Sequence, residues 1–225
     1  MIQYLMDLFK DHKYSKNILF SLGLVILFCV FSYYFIDKPV AIYFKSSNYN
    51  VFGLFDFITK FGVSTWYLVI SFCAFLFYRY VINNKIYSNQ ALFVFLSIAV
   101  SGLLADLIKL VFGRYRPNMF FDKGLYDFTF FKAKYAFNSF PSGHANTITA
   151  LTLALYFLYP TYRNIYIIVA ISVILSRLVL CSHFVSDVVF GAYLAILTTL
   201  YLRNYFDEKG IPLLSERIGK MENTA

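Results

Sequence analysis

The residues most able to do chemistry lie late in the chain, where Ser176-Arg177 is followed by His183 and then Asp187. A cation, an imidazole and a carboxylate stand here inside stretches otherwise fit for lipid. Such groups are costly at membrane depth, so they mark a functional site. On one helix, His183 and Asp187 would share a face, about 6 Å apart along the axis. The carboxylate could then hold one imidazole N–H and leave the other nitrogen free as base or nucleophile. Arg177 precedes His183 by six residues, which is about 240° round a continuous helix and the wrong side. The spacing therefore predicts a helix that ends near Cys181-Ser182 and restarts at His183, with Ser182 as N-cap.

Two earlier stretches supply matching chemistry. Lys109 and Arg116-Pro117 bracket six residues, and Pro141-Ser142-Gly143-His144 opens another apolar run. Lys109, Arg116 and Arg177 would give three cations at one end of a bundle. Planar Arg forks suit phosphate oxygens bidentately, and Lys adds a point charge. Ser142-Gly143-His144 at a helix start offers unpaired N–H groups to an anion, and Gly143 lets the backbone approach it. Pro117 should keep Arg116 out of helical geometry and end the preceding span. Either histidine could attack phosphorus; His183 has the better case because Asp187 can steady its ring. As a metal site, His144, His183 and Asp187 are too few for closed zinc coordination, and no H-E-x-x-H accompanies them. Neither a metal nor another cofactor is expected.

These three stretches read K-x6-R-P, P-S-G-H and S-R-x5-H-x3-D, in that order, across roughly residues 100–195. In this the chain resembles the type 2 phosphatidic acid phosphatase (PAP2) superfamily of membrane phosphatases. The resemblance implies that His183 becomes phosphorylated and that Asp187 orients it. It implies that His144 protonates the leaving group and then helps water attack. Lys109, Arg116, Ser142, Gly143 and Arg177 would bind the phosphate. Vanadate-dependent haloperoxidases share this anion pocket, but they are soluble proteins and this chain is built for lipid. A protein that only binds or transports phospholipid would need the cations and not the two histidines. Cys181 stands where relatives often have glycine, and Val185 where many have proline.

Composition agrees with a membrane home. Of 225 residues, 60% are hydrophobic and only 14% charged, against roughly 25% charged in soluble domains. The net charge of +8 suits anionic lipid head groups. No zinc-finger spacing or RNA-stacking motif supports a nucleic-acid partner. The expected fold is all-α: one membrane domain over 1–225, a bundle of six transmembrane helices with short interfacial helices. The spans should cover about 17–36, 63–82, 90–112, 145–159, 165–181 and 183–202. Residues 1–16 read as an amphipathic segment on the inner surface, and 51–61 as a short interfacial piece. Asp37 reads as a helix cap with Pro39 in the first turn. The slight excess of Lys and Arg in the inner loops puts both termini in the cytoplasm. The resemblance agrees, implying a bacterial inner membrane and an active site facing the periplasm.

The substrate is read from thinner signals. The connection from Gly113 to Phe140 interleaves Arg114, Lys123, Lys132 and Lys134 with aromatic residues, which suits a bulky anionic head group. Arg114 could contact that head group or be an ordinary surface charge, and Asp106 should pair with Lys109 one turn later. Ile58-Thr59-Lys60-Phe61-Gly62-Val63-Ser64-Thr65-Trp66 is similar to an I-T-x-x-G-x-S-x-W phrase of bacterial members, lipid A phosphatases among them. It reads equally as an interfacial turn, with Gly62 ending one helix, Ser64 capping the next and Trp66 as anchor. A lipid A phosphate is the first expectation for the phosphorylated lipid. Phosphatidylglycerophosphate and undecaprenyl diphosphate stand close behind.

Overall fold

The computed structural model describes residues 13–46, 52–131 and 134–214. Most of the amphipathic segment expected over 1–16 lies outside these residues. The described chain is helical, with only isolated β-bridges at Arg114. In order come α1 (Lys13–Phe35), α2 (Asp37–Ser46) and α3 (Phe52–Thr59), then a 3-10 turn over Lys60–Gly62. Next are α4 (Ser64–Leu76), which runs on through a π turn over Phe77–Val81, and α5 (Lys85–Phe112). The last are α6 (Pro117–Lys123), α7 (Gly143–Leu158), α8 (Arg163–Val179) and α9 (Val185–Glu208).

Five stretches are long and apolar enough to cross a membrane: Ile18–Phe35, Gly53–Val81, Lys85–Phe112, Pro160–Val179 and Val185–Glu208. Six were expected. The missing one is α7, whose 16 residues rise only about 24 Å, short of the roughly 30 Å of hydrocarbon. Yet α7 is the most enclosed helix, with Ala145 through Ala150 buried without interruption. It packs against α5, α8 and α9. The outer helices instead show large apolar side chains such as Leu19, Leu27, Leu103 and Ile168 to their surroundings, as lipid-facing helices must. The 51–61 stretch is not set apart from the second span. It joins α4 through the 3-10 turn, with only Val63 extended between them.

The third span ends at Phe112, near its expected end, but Pro117 is not what ends it. Gly113, with φ +48°, terminates α5, four residues before Pro117. Pro117 then opens α6 at its first position, where its missing N–H costs nothing. Backbone pairing ties together described parts of the long connection from Gly113 to Phe140. Arg114 bridges to Phe128 and to Asn138, and Ser139 N donates to Arg114 O at 3.0 Å.

Close approach of α9 to the start of α7 sets the geometry of the site. A Cβ on Gly191 would lie 2.5 Å from Ser142 O, and Asn146 Nδ2 donates to Gly191 O at 3.2 Å. Gly191→Ala should therefore push the two helices apart and cost about 1–3 kcal/mol. A lowered thermal midpoint in detergent would register it; an unchanged midpoint would mean that the contact is slack.

Candidate active site

The turn between α8 and α9 departs from the sequence expectation. Helix α8 stops at Val179, and Ser182 N and His183 N both donate to Arg177 O, at 3.0 and 3.2 Å. Cys181 takes φ +47° to close the turn, the left-handed region that glycine enters without a Cβ penalty. Ser182 is not the N-cap of α9. Phe184 holds that position, and Asp187 Oδ2 accepts its N–H at 2.8 Å. His183 thus precedes α9 and does not share a helix face with Asp187.

The two still approach, but their roles differ from expectation. His183 Nδ1 lies 2.8 Å from Ser139 O and 3.7 Å from Asp187 Oδ2. The second distance is too long for a hydrogen bond. A carbonyl can only accept, so Nδ1 carries the proton and donates, leaving Nε2 with its lone pair. Asp187 acts beside the ring as charge and as scaffold. Its Oδ2 also accepts from Ser139 Oγ at 2.6 Å, and its backbone O accepts from Ser142 N at 2.9 Å. One residue thereby braces the carbonyl that fixes His183 and the turn that starts α7.

Beneath Asp187 lies a buried charge network that sequence reading missed. Arg114 is wholly buried, and is neither a surface charge nor a head-group contact. Its Nη1 pairs with Asp187 Oδ1 and its Nη2 with Asp37 Oδ2, at 2.5 and 2.8 Å. Asp37 is equally buried and takes further hydrogen bonds from Ser32 Oγ and from the N–H and Oγ of Ser186. It faces this network instead of serving as a simple helix cap. Burial opposes the charge on Arg114, but the two carboxylates outweigh it and raise its pKa above the ordinary value. Tyr126 closes the network by donating to Tyr33 O at 2.6 Å, and burial keeps its phenol protonated. A lone Asp beginning a helix inside apolar sequence was the available signal for Asp37; Ser139 carried none.

Three of the other candidate residues line a small cleft. A cavity of about 230 Å3 is lined by Lys109, Gly143 and His144, with Gly62 to Ser64 forming another wall. Lys109 pairs with the exposed Asp106 at 2.8 Å, as its spacing indicated. A Cβ on Gly143 would lie 3.1 Å from Lys109 Nζ. Ser142 is the N-cap of α7 and accepts from Ala145 N at 3.4 Å. Arg177, Arg116 and Lys109 stand close enough for their charges to act on His144. Arg116 uses its guanidinium on three carbonyls, those of Tyr135, Asn138 and Ser182, so it knits the long loop to the His183 turn. Arg177 donates Nη1 to Thr59 Oγ1 at 2.5 Å. Its Nε–H is buried and meets no acceptor among the described residues. The Nε–H groups of Arg114 and Arg203 are likewise buried without a hydrogen-bond partner among the described residues, and of the three only that of Arg177 belongs to an expected phosphate-binding residue.

Burial pushes the pKa of His183 down to about 4; Arg116 and Arg177 add to that, and Asp187 opposes it. The ring is therefore neutral near pH 7. In the unfolded chain it would titrate near the ordinary 6.5 and would bind more protons between those values. Its contribution to stability should be level above pH 6.5 and fall as the pH drops towards 4. His183→Asn should flatten that part of a thermal-midpoint profile, and an unaltered slope would assign the effect elsewhere. Arg114→Met should strand two buried carboxylates and cost about 3–5 kcal/mol, read as a large loss of thermal midpoint in detergent.

Comparison with known proteins places the chain in a family. A lipid A 1-phosphatase of Rhizobium etli is 35% identical over 180 residues, covering 73% of this chain and 76% of that protein. A lipid A 1-phosphatase of Rhizobium johnstonii is 37% identical over 161 residues, covering 64% and 65%. A transmembrane PAP2-type phosphatidylglycerolphosphate phosphatase from Bacillus subtilis has the same fold. It superposes with a TM-score of 0.56 at 23% identity, over 83% of this chain and 96% of that one. The model of the PAP2 superfamily matches residues 90–211, from α5 through the whole of α9 and so across all three motifs. With all three motifs inside that match, the chain belongs to the PAP2 superfamily as a membrane phosphatase.

Proposed function

We propose that this chain removes a phosphate from lipid A, through a phosphohistidine formed on His183 Nε2. One observation carries the reading: a histidine whose Nδ1–H is tied to Ser139 O lies in the same site as an Arg177 Nε–H without a partner. The first supplies a nucleophile and the second a place for phosphate oxygens. In the first step Nε2 attacks phosphorus, the P–O bond to the lipid breaks, and His144 gives a proton to the leaving oxygen. In the second, water attacks, His144 takes its proton, the P–N bond breaks and inorganic phosphate departs. Lys109, Arg116, Arg177 and the N–H groups at Ser142-Gly143 balance charge on the transferring group. The positive charge gained by the phosphorylated ring is met by Asp187.

The lipid assignment is supported by the two relatives named as lipid A 1-phosphatases and by the cation–aromatic loop. Lys38 lies 4.3 Å from the ring centre of Tyr126 at that loop, beside Lys45 and Phe121. Counting α7 as a short sixth span would put both termini on one side, and the slight excess of Lys and Arg in the inner loops favours the cytoplasm for that side, with the site at the periplasmic face of a bacterial inner membrane.

Purified protein should be given lipid A, phosphatidylglycerophosphate and undecaprenyl diphosphate separately in mixed micelles, with phosphate release and product mass measured. Lipid A should lose one phosphate fastest; turnover of only the other two would overturn the assignment. His183→Ala should lower the rate on the order of 10^4-fold or more, as for other lost nucleophiles. Orthovanadate should inhibit and EDTA should not. A reporter fused after Ala225 should be cytoplasmic and one inserted at Lys123 periplasmic; the reverse pattern would place catalysis inside.

A further inference from the structure

The I-T-x-x-G-x-S-x-W phrase is not explained by the chemistry above, and its residues do not behave as an interfacial turn alone. Ser64 caps nothing: Val63 is the N-cap of α4 and Ser64 its first residue. Gly62 does end the 3-10 turn, but its φ is not in the left-handed region, so the turn itself does not demand glycine. Its position does. A Cβ there would lie 2.6 Å from His144 Cδ2, 2.8 Å from His144 Cβ and 2.9 Å from His144 Cγ. Because the Cβ of His144 is among these atoms, a rotation of the ring could not relieve the clash. Three residues earlier, Thr59 Oγ1 accepts from Arg177 Nη1. Helix α3 packs on α8, and the 3-10 turn packs on α7.

We propose that the α3–turn segment is a positioning clamp for the reaction, in which Gly62 sets the seat of His144 and Thr59 sets the aim of Arg177. This rests on the two-step phosphohistidine reading. The clamp reaches the two groups that come from different helices and must meet one phosphate. Arg177 is held at Nη1 by Thr59, so its Nε–H stays turned to the anion. His144 is backed by Gly62 across the wall of the cleft, so its ring sits within reach of the leaving oxygen. A contact distance error of about 1 Å at such a group can cost on the order of 100-fold in rate. Neither Gly62 nor Thr59 needs to touch the substrate to matter.

The test separates the two roles with p-nitrophenyl phosphate, whose leaving group departs without a proton, alongside the lipid substrate. The full chain is used in detergent micelles. With Gly62→Ala, the first step on the aryl ester should survive while the water step, which needs His144 as base, slows. The expected result is a burst of one p-nitrophenolate per active site, followed by a steady rate at least about 10-fold below the unmodified protein. Turnover of the lipid ester, which needs His144 in both steps, should fall further, by about 100-fold. With Thr59→Val, inhibition by inorganic phosphate should weaken at least about 5-fold with a smaller change in kcat, and Thr59→Ser should restore it. Loss of burst and turnover together in a folded Gly62→Ala protein would overturn the His144 role. Unchanged phosphate inhibition in Thr59→Val would overturn the Arg177 role, and this arm decides the proposal should Gly62→Ala not fold. Failure of the underlying chemistry would show separately, as an unmodified protein that forms no acid-labile phosphoenzyme when quenched.

Discussion

The Arg114 guanidinium, buried between Asp37 and Asp187, is the interaction on which the rest of the site depends. Three fully buried charges are costly, and they persist only because each is paired and further hydrogen-bonded. The arrangement joins three distant pieces of chain: the start of α2, the connection after α5 and the first turn of α9. Asp187 cannot swing towards solvent or rotate away from the turn it braces. Of the two carboxylates Asp187 is the one beside His183, and it brings a formal negative charge there. That is the sign needed when the imidazole gains positive charge on phosphorylation.

From Asp187 the constraint spreads in two directions. Through Ser139 and its carbonyl it fixes which nitrogen of His183 bears the proton. Through its own carbonyl it holds Ser142, and hence the N-terminus of α7 where phosphate oxygens would lie. Arg116 extends the same logic, binding three carbonyls so that the long loop and the His183 turn move as one. His183 and the start of α7 are therefore set on one hydrogen-bonded frame, as the proposed preorganised site requires. Helix α7 can be short because it lies at the centre of the bundle, sheltered by longer helices on its sides.

Much of this was legible in the residues themselves. Charges and imidazoles within apolar runs need a partner or a ligand, so Lys109, Arg116, His144, Arg177, His183 and Asp187 stood out as a candidate phosphate site by type and spacing. The helical class followed from apolar runs of spanning length, since a backbone in lipid must satisfy its own hydrogen bonds. Asp106 with Lys109 was a local pair, three residues apart on one helix, and such pairs are readable from order alone.

What only the tertiary structure decided were contacts between residues far apart in the chain. Asp37 meets Arg114 across 77 positions, and Arg177 meets Thr59 across 118; no local periodicity encodes either. The same limit explains the errors. Treating His183 and Asp187 as neighbours on a helix ignored that Arg177 O could capture two successive N–H groups and close a turn at Cys181. Reading Gly62 as a helix end missed the ring of His144 packed against it. Sequence determined which groups must leave the lipid and find partners, because desolvation acts on each residue alone. Structure decided who those partners are, because pairing depends on where the helices pack.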